Sequence, residues 1–194
     1  MAQRDTGTEQ HIKDTAKRIF FSEGKLHATT QDIADAAGVN RTLLNYYFRS
    51  RDILFDQVAQ EARADMSSLL DPIFTAEMEF KDKIHKLITV FMDQAMKYPY
   101  REMYVVTELN RGFKAVPEEK KTRLKSFLKE VSAEMEKGKI KSMDPRHFCM
   151  NLFALMAYPL ITNCLNKSLY NISDAEYLKL MKERKQLIFD MVYQ

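Results

Sequence analysis

TTQDIADAAGVNRTLLNYYFRSR, residues 29–51, is the stretch whose reading decides the fold. Ile33, Ala34 and Ala37 fall at i, i+1 and i+4 and give a short helix one apolar face. Thr29 or Thr30 can cap that helix, and Asp32 in its first turn suits the positive end of the dipole. Gly38 breaks it, because glycine adopts the left-handed conformation of a helix C-terminus without steric penalty. After Val39, Asn40 can cap a second helix. On that helix Leu44 and Phe48 face inward, while Arg41 with Asn45, and Thr42 with Tyr46, lie on other faces. Ala34 lets the helices cross closely, Gly38 makes the turn and Leu44 fills the angle between them. The spacing predicts a helix-turn-helix whose second helix presents polar side chains to a DNA major groove. It also suits a tight helical hairpin inside an ordinary bundle.

Outward from this stretch the chain reads as helix throughout. Residues 1–8 form an arm in which Arg4 could reach a phosphate. A helix over 9–22 carries Ile12, Ala16, Ile19 and Phe20 on one face, and Gly24 ends it. Ser50 caps a helix over 51–70. Leu54, Phe55 and Val58 on it face the first domain, Met66, Leu69 and Leu70 face a second, and Asp71-Pro72 ends it. A further helix spans 80–97, followed by Pro99, a shorter or partly irregular segment over 100–110, and Gly112 in a loop. Pro117-Glu118-Glu119 opens a helix with the stripe Leu124, Phe127, Leu128, Val131 and Met135. Asp144-Pro145 starts a helix that is apolar nearly all round, which predicts burial on more than one side. Pro159 should kink it or divide it in two. Ser173 to Glu176 is a capping box for a last helix striped with Tyr177, Leu180, Met181, Leu187, Ile188 and Met191.

Composition agrees with an all-α chain of about nine helices: only 5 Gly and 5 Pro interrupt 194 residues rich in helix formers. An apolar fraction of 45% suffices for a core. The net charge of +3 is modest for a nucleic-acid binder, so position matters more: Arg41, Arg49 and Arg51 cluster in and just after the second helix of the motif. Residues 1–18 are too polar for a signal peptide, and 148–165 is too interrupted to span a membrane. With two cysteines, Cys149 and Cys164, read as buried structural thiols, this fits a reducing cytoplasm.

Residues 12–58 resemble the N-terminal domain of the TetR family of transcriptional regulators. The matching pieces are Ala16 with Phe20, Glu23-Gly24, Thr29-Thr30, Ile33-Ala34, Ala37-Gly38-Val39, Leu44, Tyr47-Phe48, Ser50 and Leu54. The chain departs from the common pattern at Thr42-Leu43, Asn45 and Arg51. The first two of these bear on which DNA sequence is read. The resemblance implies a helix-turn-helix domain over 1–50 and a helical effector-binding and dimerisation domain over 51–194. It also implies that Thr30, Tyr46, Tyr47 and Arg51 hold phosphates.

Catalysis finds little support. The glycines are isolated, the serines lack a nucleophile elbow, and the four histidines form no metal motif, so neither a metal nor a cofactor is expected. The expected activity is that of a DNA-binding regulator, a repressor that binds a palindromic operator in double-stranded DNA as a homodimer. A small apolar effector of unknown identity would release it. The alternative is a helical protein-interaction module that does not read DNA. The DNA-binding set is Thr30, Gln31, Asn40, Arg41, Thr42, Leu43, Asn45, Tyr46, Tyr47 and Arg51, in which Arg41 suits guanine and Leu43 a thymine methyl. The 12 Met and 12 Phe suit an adaptable pocket as well as a core. Pocket candidates are Met66, Phe91, Met92, Met96, Tyr104, Phe127 and Met156. Dimer candidates are Phe153, Met156, Leu160, Leu180, Leu187, Ile188 and Met191.

Overall fold

A computed structural model describes residues 6–111 and 116–194; Arg4 and Gly112, singled out above, lie outside them. The described residues form ten helices and one π-helical turn, and none of them is in a strand. The first, α1 (Thr6–Lys17), runs on into the π turn Arg18–Ser22. That turn is closed by the Glu23 amide donating to the Arg18 carbonyl, 3.0 Å away. Three consecutive side chains, Ile19, Phe20 and Phe21, are buried there. A regular helix cannot face three neighbours inward, and the wider turn can.

The next two helices are α2 (Thr30–Ala37) and α3 (Arg41–Phe48). They are followed by α4 (Arg51–Thr75), capped by Ser50. Pro72 does not end α4 where expected; the helix continues one more turn. An interior proline costs about 3 kcal/mol. Burial of Ile73 and the edge-on packing of Phe74 against Phe127, 5.1 Å between centroids, offset a penalty of that order. Arg123 also holds the Asp71 carboxylate at 2.9 Å.

The second domain continues with α5 (Phe80–Lys97), α6 (Arg101–Arg111), which is regular helix, and α7 (Glu118–Glu136). Then come α8 (Pro145–Ile161), α9 (Asn163–Tyr170) and α10 (Asp174–Val192). The apolar helix divides just beyond Pro159, with a 70° bend between α8 and α9, which gives ten helices rather than about nine. No single helix among the described residues is long and apolar enough to cross a membrane.

Two cores result. The first gathers Ile12, Phe20, Ile33, Leu44 and Phe48 with Leu54 to Ala62 of α4, so it crosses from residue 50 into the long helix. The second gathers α5, α7, α8 and α10 around Phe91, Met92, Phe127 and Met156. Helix α8 is buried along one stripe only, Phe148, Leu152, Met156 and Leu160, while Met150, Phe153 and Tyr158 remain exposed. Leu69 and Leu124 also turn outward rather than into the second core.

Candidate nucleic-acid interface

Local chemistry sets the pose of α2 and α3. Thr29 and Asp32 form a capping box: the Asp32 amide donates to Thr29 Oγ1 at 3.2 Å, and the Thr29 amide donates to the Asp32 carboxylate at 2.8 Å. Those bonds from Thr29 hold the Asp32 carboxyl below the usual carboxylate range. Gly38 takes φ +67°, and its amide closes the helix on the Ala34 and Asp35 carbonyls. Asn40 Oδ1 then accepts from the Leu43 amide at 2.8 Å and starts α3. His11 Nε2 lies 3.0 Å from the Ala37 carbonyl and braces α1 against the end of α2.

Leu44, Tyr47 and Phe48 anchor α3 in the first core. Its outer side carries exposed Arg41, Thr42 and Tyr46, with Leu43 and Asn45 half-buried. Asn40 and Gln31 are exposed, although Gln31 is tied to Asp35 at 2.7 Å; Thr30 is half-buried at the start of α2. A short helix with one polar face, held by an apolar one, is what reading a major groove requires.

Two expected phosphate ligands sit elsewhere. Tyr47 is only 7% exposed, because its ring packs between those of Tyr46 and Phe48 as part of the anchor. Arg51 bends back from α4 to donate to the Leu26 and Ala28 carbonyls and lies over the Phe55 ring, 4.7 Å from its centroid.

The expected pocket residues divide. Phe91, Met92, Phe127 and Met156 are buried in the second core, with Met66 and Met96 packed against it. Tyr104 instead joins the first core, edge-on to Phe55 at 4.7 Å. Of the expected dimer residues, Met156, Leu160 and Ile188 fill the chain's own core, because they lie on the inward stripes of α8 and α10. Phe153, Leu180, Leu187 and Met191 are exposed. Cys164 is exposed, not buried, whereas burial pushes the thiol of Cys149 up to about 11.

Sequence reasoning missed how the domains are joined. Lys13 pairs with Glu61 at 2.6 Å and Lys17 with Asp65, which ties α1 along the first half of α4. The signal was present: each cation is four residues from the other, and so is each carboxylate. A second tie is made by the α5–α6 corner. The Tyr100 amide donates to the Phe21 carbonyl and Ser22 Oγ to the Lys97 carbonyl, each at 3.1 Å. Gly24, at φ +72°, leaves room for the Tyr100 ring; a Cβ there would lie 2.6 Å from it.

Residues 12–58 match the family described as bacterial regulatory proteins, tetR family. The chain is 28% identical over 141 residues to the transcriptional regulator RutR of Escherichia coli O157:H7, covering 69% of this chain and 65% of that one. It is 23% identical over 124 residues to the transcriptional repressor KstR2 of Rhodococcus jostii (strain RHA1), covering 56% of this chain and 61% of that one. The matches thus span just under two thirds of these relatives' lengths. Among solved structures, the fatty acid degradation regulator FadR from Bacillus halodurans aligns with a TM-score of 0.60 at 19% identity, covering 96% of this chain and 97% of that chain. A TetR family transcription regulator from Marinobacter aquaeolei VT8 aligns at 0.57 and 16% over the whole of both chains. These structural likenesses concern the fold.

Proposed function

Because the chain belongs to the TetR family of transcriptional regulators, we propose that it binds double-stranded DNA as a homodimer and represses transcription until a small apolar effector releases it. The observation that carries this reading is the outer face of α3. Arg41, Thr42 and Tyr46 stand in solvent on a helix capped at Asn40 and anchored by Leu44 and Phe48. Arg41 is the guanine reader, its guanidinium able to bond both acceptors on the base edge. Thr42 and Asn45 reach neighbouring base edges, Leu43 meets a thymine methyl, and Thr30 and Tyr46 hold phosphates.

One such helix makes few contacts, so two half-sites are engaged together, with recognition helices about 34–36 Å apart. Pairing through α8 and α10 supplies the second copy. Phe153, Leu180, Leu187 and Met191 are the exposed apolar residues that pairing would cover. The effector enters among α4 to α8, where methionine and aromatic side chains repack readily. It lowers DNA affinity to the extent that it prefers one α4 angle over another.

The test is selection from a random duplex pool followed by titration of Arg41→Ala. The expected loss is about 1–3 kcal/mol, with preference relaxed at one base pair of each half-site. Unchanged affinity and preference would sink the assignment of α3 as the reading helix.

A further inference from the structure

A cleft of about 400 Å³ opens between the two domains, lined by Leu26, His27, Arg51, Phe55, Tyr104 and Thr107. Arg51, the first residue of α4, turns into this cleft rather than outward. Its guanidinium donates to the Leu26 carbonyl through Nη2 and to the Ala28 carbonyl through Nε at 3.4 Å, while Nη1 reaches Asp52 at 3.1 Å. Its flat face lies 4.7 Å from the Phe55 ring centroid and 5.3 Å from that of Phe20. Phe55 in turn meets Tyr104 of α6 edge-on. Planar stacking and a fork of donors are properties of arginine that lysine lacks.

The two carbonyls belong to the loop that launches α2. Ala28 directly precedes the capping residue Thr29, and Thr30 follows as the first residue of the helix. We infer that Arg51 is a positioning residue: it straps the α2 start to the first turn of α4, so that α2 and its phosphate anchor follow α4 when that helix tilts. The inference rests on the DNA-binding reading above. It gives Arg51 a role other than phosphate contact, and the two roles differ in what they predict.

A phosphate ligand releases a counterion when it binds, so removing it lowers the slope of log affinity against log salt by about 0.9 on any duplex. A strap leaves that slope alone. It instead weakens binding to the selected sequence, because the pose of α2 is lost, and it exposes the loop amides to exchange. The experiment compares wild type, Arg51→Lys and Arg51→Met on two probes, a duplex selected from a random pool and sonicated genomic DNA, across a salt series. Amide hydrogen exchange over residues 24–30 is followed in the free proteins.

The expected result is a roughly tenfold loss on the selected duplex for both variants. The slopes should stay unchanged, binding to sonicated DNA should hold within about twofold, and exchange over 24–30 should quicken. Arg51→Lys keeps the charge, so its failure to rescue supports the strap. A slope lowered by about one contact in Arg51→Met and restored in Arg51→Lys, with exchange unchanged, would overturn it. If wild type enriches no duplex, the DNA-binding reading fails; unchanged exchange in the variants overturns the strap by itself, whatever the DNA results.

Discussion

Between Ile12 and Ala62 the large apolar side chains left exposed are Tyr46 and Ile53, whereas α8, α9 and α10 leave bare Met150, Phe153, Tyr158, Leu165, Leu187, Met191 and others. The first core closes within one copy of the chain. The second closes only on the inner stripes of α8 and α10 and stops there. Leu180, Leu187 and Met191 recur at i, i+7 and i+11, which is one side of a helix. The contrast teaches that apolarity in sequence and burial in the monomer are separate quantities. A helix apolar nearly all round packs one stripe into its own domain and keeps the rest for another surface.

The contrast breaks or holds first at Phe127 and Leu187. Phe127 is fully buried among Phe74 and Phe80, so Phe127→Ala should cost about 3–5 kcal/mol of folding stability, read from denaturant unfolding. Leu187→Glu, at an exposed site, should change the folding of the isolated chain by no more than about 0.5 kcal/mol. It should nonetheless shift sedimentation at micromolar concentration from dimer to monomer. A monomeric wild type, or a Leu187→Glu chain destabilised as badly as Phe127→Ala, would erase the distinction between the two stripes.

A smaller effect tests the other side of the comparison. Asn40→Ala removes the cap of α3 and should cost about 1 kcal/mol, seen as a lower melting temperature. If it costs nothing, the pose of α3 comes from core packing alone. The smallest effect concerns the thiols. In a Leu187→Glu background near pH 8, iodoacetamide should label exposed Cys164 well before Cys149, whose raised pKa keeps it a neutral thiol. Equal labelling, followed by mass spectrometry, would mean that the inner side of α8 is open.

Local signals carried furthest. Thr29, Gly38, Asn40 and Ser50 act on neighbours within a few residues, and each caps or breaks a helix where its type predicts. Tertiary choices were less legible. Pro72 reads as a stop, yet Ile73 and Phe74 draw α4 past it. Arg51 reads as a surface cation beside DNA, yet two loop carbonyls and an aromatic ring, all distant in sequence or on another turn, turn it inward. Met156, Leu160 and Ile188 carry the same periodic signal as Leu180 and Leu187, and periodicity cannot say which of two stripes a domain will take for itself. The site was therefore legible on α3, where exposure follows from helical phase, and not at its edges, where side chains answer to other segments.

The π turn at Arg18–Ser22 has a consequence for anyone recombining this chain with a relative. It holds one residue more than a regular turn would, and each residue of an α-helix advances its face by about 100°. A chimera joined within α1 therefore inherits a phase as well as a sequence. If the junction drops one residue between Lys17 and Glu23, every side chain on one side of the cut rotates by that angle relative to the other. Ile12 and Ala16 would leave the first core while Phe20 stayed in it. A graft that keeps the full count through Ser22 preserves the alignment even if the residues within the turn are exchanged for others of similar bulk.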